Sequence, residues 1–187
     1  MSAADDPLDD VLIGGREKRD IVIVEHDPAW AVRFERERAR IVAALGDRAL
    51  AVEHIGSTSV PGLAAKPIVD IDLTVADPAD EDAYVPDLEA AGYVLRVREP
   101  GHRMLRTPER DVHLHVCAPG SEWERHHLVF RDWLRTHPDD RRRYQDVKRE
   151  LAAREWDDMN DYADAKDDVV ADIMGRATAP RAPGMGG

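Results

Sequence analysis

His54-Ile55-Gly56-Ser57-Thr58-Ser59-Val60-Pro61-Gly62-Leu63-Ala64-Ala65-Lys66-Pro67-Ile68-Val69-Asp70-Ile71-Asp72 carries the reading of this chain. The run Ala49–Ile55 that leads into it reads as a strand. It passes directly into Gly56-Ser57-Thr58-Ser59, and Val60-Pro61-Gly62 closes a turn or short helix. After Lys66-Pro67, the run Ile68–Val75 is β-branched and alternates in its middle, which predicts a second strand. Side chains at i and i+2 of a strand share a face, so Asp70 and Asp72 project together while Val69, Ile71 and Leu73 project oppositely.

Two such carboxylates are costly to bury, because like charges raise one another's pKa and a low-dielectric wall adds to the cost. A divalent cation offsets that cost. Mg²⁺ takes one or two carboxylates together with substrate phosphates and water, and Mn²⁺ can replace it, so Asp70 and Asp72 are candidate metal ligands. A Gly-Ser turn at a strand end offers N–H groups and a hydroxyl to a phosphate. Gly56, Ser57, Thr58 and Lys66 are therefore candidate nucleotide contacts. The spacing is not that of the Gly-Lys-Ser/Thr nucleotide loop, since Lys66 comes much later. The plainer reading is the solvated face of a half-buried strand beside an ordinary turn.

Outward from this segment, Ile21–Val24 is a short β-branched run. Pro28 then starts an amphipathic helix carrying Trp30, Phe34, Ile41, Val42 and Leu45 that stops at Gly46. Downstream, Ala79–Ala91 reads as a helix shortened or bent by Pro86. Tyr93–Val97, Arg103–Arg106 and Asp111–Cys117 read as strands joined by Pro-containing turns. The last places Asp111, His113 and His115 on one face. His113 and His115 could ligate metal, act as base or contact phosphate, or form a solvated pair; with an aspartate they could instead hold zinc.

Past Gly120 the chain turns charged and helical over Glu122–Thr136, Pro138–Arg154 and Asp157–Met174. Arg125, Arg131 and Arg135 recur at helical spacing and suit either a cationic wall for phosphates or surface ion pairs. Lys166 reads as a surface ion pair or as a phosphate contact reaching inward. Trp30, Trp123, Trp133 and Trp156 fit amphipathic patterns and read as packing anchors, with no function assigned. A mixed sheet followed by a helical C-terminal half is an α+β arrangement. The expected layout is a flexible acidic arm over residues 1–19, one domain over 20–175 and a disordered Pro/Gly-rich tail over 176–187.

At 187 residues, 43% of them hydrophobic, the chain can bury one ordinary core. Its 38 acidic residues against 26 basic ones give a net charge of −12, which disfavours bulk nucleic acid and anionic lipid as partners. A lone cysteine, Cys117, excludes an internal disulfide and reads as a small buried hydrophobe in a reducing compartment. No apolar run approaches the ~20 residues a membrane span needs. The N-terminus is acidic where a signal peptide would be basic, so a cytoplasmic location is expected. Nothing in the pattern specifies an oligomeric state.

The segment His54–Asp72 closely resembles the signature of the GrpB family, a group within the nucleotidyltransferase superfamily. Similar stretches are His26-Asp27-Pro28-Ala29-Trp30, Val112-His113-Leu114-His115-Val116, Glu124-Arg125-His126 and Phe130-Arg131-Asp132-Trp133-Leu134-Arg135, then Tyr144, Lys148 and Tyr162-Ala163-Asp164-Ala165-Lys166. Together they cover about residues 21–175. The resemblance implies a nucleotidyltransferase-like fold with a mixed sheet and flanking helices. In it a Gly-Ser turn at Gly56 and Ser57 binds the triphosphate, and a metal-binding strand carries Asp70 and Asp72. Where the superfamily often supplies a third carboxylate from a later strand, this chain offers His113 or His115, with Asp111 nearby. The implied activity is Mg²⁺-dependent transfer of a nucleoside monophosphate from a triphosphate, with ATP expected, to a small acceptor. A catalytically silent nucleotide- or metabolite-binding module is the second reading, and a zinc-dependent hydrolase built on Asp70, His113 and His115 is the third.

Overall fold

The computed structural model describes residues 11–15, 20–156 and 159–179. Among the described elements the chain opens with helix α1 (Ala29–Leu45), which begins where the Asp27 carboxylate accepts from the Ala29 N–H at 2.9 Å. It buries Trp30, Glu37, Ile41 and Leu45 as one stripe. Gly46, with φ of 57°, ends it in a conformation that costs glycine little.

Five strands follow: β1 (Ala51–Ile55), β2 (Val69–Thr74), β3 (Val94–Glu99), β4 (His102–Arg106) and β5 (Val112–Cys117). A single 3₁₀ turn, Ser57–Ser59, lies between β1 and β2. Helix α2 (Val85–Ala90) precedes β3, and α3 (Glu122–Thr136), α4 (Pro138–Ala152), α5 (Met159–Asp164) and α6 (Asp167–Ala177) complete the chain. The sheet order is β1-β2-β5-β4-β3. β2 and β5 run parallel and the other pairs antiparallel. This is a mixed α/β fold.

The alternation of β2 and β5 splits the sheet into two unlike faces. Val69, Ile71 and Leu73 join Val112, Leu114, Val116 and Leu105 in one core against Trp30, Ile41 and Leu45 of α1 and Leu88 of α2. Burying each of the larger side chains contributes about 1.5–3 kcal/mol, which sets the register of both strands. Asp70, Asp72, His113 and His115 therefore face the other way, toward the C-terminal helices. These helices close over that face with a second cluster of Val60, Leu63, Leu134, Tyr144, Val169 and Ile173. Val60 and Leu63 follow the Ser57–Ser59 turn directly, so packing against α3, α4 and α6 anchors it.

Three expected elements differ in detail. Ala79–Ala91 is a 3₁₀ turn at Glu81–Ala83 followed by the short α2, because Pro86 lacks an N–H and is accommodated only in a first turn. The third C-terminal helix is two helices, α5 and α6. The Lys166 N–H bonds the Ala163 carbonyl at 3.1 Å, a tighter turn that interrupts the helical ladder. From Ile21–Val24, only Val24 pairs, in one antiparallel bridge to Ala65. Within the expected arm, Leu12 bridges Val97 and the Ile13 N–H bonds the Arg96 carbonyl at 2.8 Å. The rest of the arm, residues 1–10 and 16–19, and residues 180–187 of the expected tail lie outside the described residues. Among the described residues no helix is long and apolar enough to cross a membrane.

Candidate functional site

Between the polar face of the sheet and the C-terminal helices lies a cavity of about 490 Å³. The Gly56-Ser57-Thr58 turn forms one side and Asp70, His113 and His115 form the floor. Three of the four lysines in the chain, Lys66, Lys148 and Lys166, line it from three different segments. Lys148 is almost wholly buried; its ammonium donates to the Ser57 hydroxyl at 3.0 Å and to the Ala64 carbonyl at 2.5 Å. The ammonium groups of Lys66 and Lys166 stand 4.9 and 4.8 Å from the centre of the Tyr162 ring. Tyr162 is fully buried, and its hydroxyl has no partner among the described residues.

Concentrating positive charge here is unfavourable in the free protein. Burial above all, with Lys166, Lys66 and Arg149 adding repulsion, pushes Lys148 down to about 7. Burial also lowers Lys166, against the opposing pull of Asp70, Asp167 and Asp164. Such a cluster is relieved by an anion, which favours the charged forms of Lys148 and Lys166.

Asp70 sits in the parallel ladder opposite His113, with Asp72 opposite His115. One Asp70 oxygen lies 3.4 Å from His113 Nδ1 and 3.8 Å from His115 Nε2. Burial acts to raise the pKa of Asp70, but the two imidazoles more than offset it and hold the carboxyl well below the usual range. The turn approaches this carboxylate closely. A Cβ on Gly56 would lie 2.6 Å from Asp70 Oδ2, and Gly56 has φ of 67°, so only glycine fits.

Asp72 has a different environment from its partner. Only 1% exposed, it is absent from the cavity lining. Its Oδ1 accepts from the Trp123 indole at 3.1 Å, and its Oδ2 is buried without a partner among the described residues. Burial is the main cause that pushes its pKa up to about 6. The expected side-by-side pair of metal-binding carboxylates is thus one open carboxylate and one roofed by Trp123.

His115 is held from behind. Its Nδ1 lies 3.1 Å from His102 Nε2, and His102 Nδ1 lies 2.9 Å from the Glu99 carboxylate. His102 also stacks on Trp123, with ring centres 3.9 Å apart. Burial, assisted by His115, lowers His102 to about 4. His127, likewise lowered to about 4 by burial, donates from Nδ1 to the Trp123 carbonyl at 2.8 Å.

Other expected contacts lie elsewhere. Arg125 is exposed, and neither it nor Arg131 lines the cavity. Arg131 pairs with Glu53 and Asp132 and donates to the His54 carbonyl, while Arg135 donates twice to the Ser59 carbonyl. These arginines staple α3 to β1 and to the Ser57–Ser59 turn instead of forming a phosphate wall. Asp111 is drawn away by Arg33 at 2.9 Å and by the Thr107 hydroxyl at 2.8 Å, so it does not join His113 and His115. Thr58 lines the cavity and bonds the buried His54 at 3.0 Å. Lys148, Tyr162, His102 and Trp123 enter the site without having been singled out for it. The available signal for Lys148 was scarcity, since an arginine-rich chain keeps only four lysines.

A family model described as GrpB protein matches residues 20–176. The chain belongs to the GrpB family. A UPF0157 protein of Streptomyces coelicolor is 55% identical over 91% of this chain and 91% of its own length. The crystal structure of conserved protein GrpB from Enterococcus faecalis superposes with a TM-score of 0.74 at 35% identity, covering 83% of this chain and 96% of that one. A protein named dephospho-CoA kinase in Mycolicibacterium paratuberculosis is 33% identical over 83% of this chain but over only 45% of its own length. The GrpB match spans residues 20–176, whereas the kinase name belongs to a chain of which this one covers only 45%.

Proposed function

We propose that this GrpB protein binds a nucleoside triphosphate, ATP in the first instance, and acts as a metal-dependent nucleotidyltransferase of that fold superfamily. The supporting observation is the convergence of Lys66, Lys148 and Lys166 with the Ser57 turn around a cavity whose floor is Asp70. The ammonium groups and the Ser57 hydroxyl would hold the β- and γ-phosphates and favour departure of pyrophosphate. An acceptor hydroxyl or amine would attack the α-phosphorus at the Asp70 end, forming the new phosphoester or phosphoramidate bond as the α–β anhydride bond breaks and the acceptor's proton passes to water. Charge stabilisation by prepositioned groups in a dry cleft is the main contribution such a site can make.

A Mg²⁺ ion held by Asp70 and Asp72 together does not fit these residues. The Trp123 indole occupies one Asp72 oxygen and the carboxyl is sealed from the cavity. Asp70 is the carboxylate placed to meet a metal beside bound phosphates.

Titration of ATP into the full chain, with EDTA and then with Mg²⁺ or Mn²⁺, tests the reading. Saturable binding that Lys148→Met weakens, followed by pyrophosphate release with some acceptor in a panel, supports it. Absence of ATP binding under every condition defeats it. The roofed Asp72 favours one second reading, a nucleotide-binding module without turnover, which saturable binding without pyrophosphate release would select.

A further inference from the structure

The donor atoms at the cavity floor pose a question of ion chemistry. Among the described residues, Asp70, His113 and His115 each present one ligand atom, and the three atoms lie within 4.8 Å of one another. The Asp70 oxygen is 3.4 Å from one imidazole nitrogen and 3.8 Å from the other. Zinc bonds of about 2.0–2.1 Å at tetrahedral angles place neighbouring ligands roughly 3.3–3.5 Å apart. The two carboxylate–imidazole spacings come within a few tenths of an ångström of that, and side-chain rotations can bring the two imidazoles together.

Hydrogen bonding behind the site fixes which nitrogen is available. A carboxylate can only accept, so Glu99 requires the proton on His102 Nδ1. His102 Nε2 lies 3.1 Å from His115 Nδ1, so that nitrogen of His115 is engaged from behind and Nε2 is the one that faces the Asp70 oxygen. A carboxylate and a second imidazole behind a ligating histidine form the kind of support that orients histidine ligands and raises their basicity.

From this geometry we infer that Asp70, His113 and His115 bind one divalent ion of the nitrogen-preferring zinc and cobalt(II) class, and that Asp72 takes no part. One carboxylate and two imidazoles suit such ions, whereas magnesium seeks oxygen. Three protein ligands leave a coordination position open to the cavity, as in sites that handle a substrate or water. The ligands are all the protein's own, so the assignment stands whether or not the nucleotide reading does.

The test uses the untagged, metal-stripped full chain without nucleotide. Cobalt(II) is added and its visible d–d absorption followed, with zinc and then magnesium as competitors. One equivalent of cobalt should develop the bands, zinc should abolish them, and a large excess of magnesium should leave them. His113→Gln, His115→Gln and Asp70→Asn should each weaken cobalt binding by at least roughly tenfold. Glu99→Gln should weaken it by roughly 10–100-fold through the support behind His115, and Asp72→Asn should leave it unchanged. Circular dichroism identifies variants that fail to fold, and Ala in place of Gln at the histidine positions gives a second set. Absence of the bands, displacement by magnesium, or loss in Asp72→Asn with retention in the histidine variants overturns the assignment. ATP titration in EDTA reports on the nucleotide reading separately.

Discussion

The Lys148 ammonium donates to the Ser57 hydroxyl at 3.0 Å, joining two residues 91 positions apart in the chain. That bond ties α4 to the turn between β1 and β2 and draws a cation to the cavity wall. Because Lys148 is 3% exposed, its ionisation is coupled to folding.

With Lys148 at about 7 in the fold against an ordinary 10.5, the unfolded chain binds more protons throughout that interval. Its contribution to stability is therefore full above about 10.5 and is lost as pH falls to 7. Lys148→Met should raise stability at pH 6 and flatten the gain that wild type shows between pH 7 and 10.5. Urea midpoints across this range check it.

An anion bound beside Lys148 restores its proton. ATP binding above pH 7 should take up a proton, and affinity should fall with rising pH by up to about tenfold per unit until the pKa of the bound state is passed. Titration calorimetry in buffers of different ionisation enthalpy measures the uptake directly. Lys148→Met should bind more weakly and lose this linkage.

Asp72 behaves in the opposite sense. With its pKa raised from 3.8 to about 6, the fold holds a proton that the unfolded chain releases, so stability is full below 3.8 and declines as pH rises to 6. Asp72→Asn should leave stability near pH 3.5 little changed and raise it at pH 7, again read from urea midpoints. A lower midpoint at pH 7 would show that the ionised carboxylate is compensated in the native protein.

Gly56→Ala places a Cβ 2.6 Å from Asp70 Oδ2 on a residue with φ of 67°. Backbone strain of this kind costs about 1–3 kcal/mol. The carboxylate must also shift, so a lower urea midpoint should accompany weaker binding of ATP. Gly62→Ala has a similar φ of 78° with nothing near its Cβ, and it should lose stability without the same loss of binding.

Leu114, fully buried between His113 and His115 in sequence, packs on the α1 side of the sheet. Leu114→Ala should cost about 2–5 kcal/mol. Chemical denaturation measures it, and a much smaller value would mean that the strand relaxes into the space.

Much of the sheet was legible because a period of two in Ile68–Val75 and Asp111–Cys117 can be satisfied by one arrangement only, with the aliphatic residues on the α1 side. Asp111 was legible as a polar residue but not as a partner of Arg33, since α1 reaches it across 78 positions. The arginines of α3 had the spacing of a cationic stripe. Glu53 and the Ser59 carbonyl, presented by the neighbouring strand and turn, had first claim on them. Trp123 fitted a packing anchor equally well, and it does pack, but against His102 and with its N–H committed to Asp72.

From the sequence alone came the GrpB resemblance, the order of the strands along the chain, the shared face of Asp70 and Asp72 in one strand and of His113 and His115 in another, and the Gly56-Ser57 turn at a strand end. Local periodicity and backbone sterics act over a few residues and leave their mark there. Only the tertiary structure decided that Asp70 opens to the cavity while Asp72 is roofed, and that Lys66, Lys148 and Lys166 converge. The physical reason is that each outcome depends on how α3 to α6 dock across the sheet. That docking is driven by burial of Val60, Leu63, Leu134 and Ile173, whose hydrophobicity has no direction of its own.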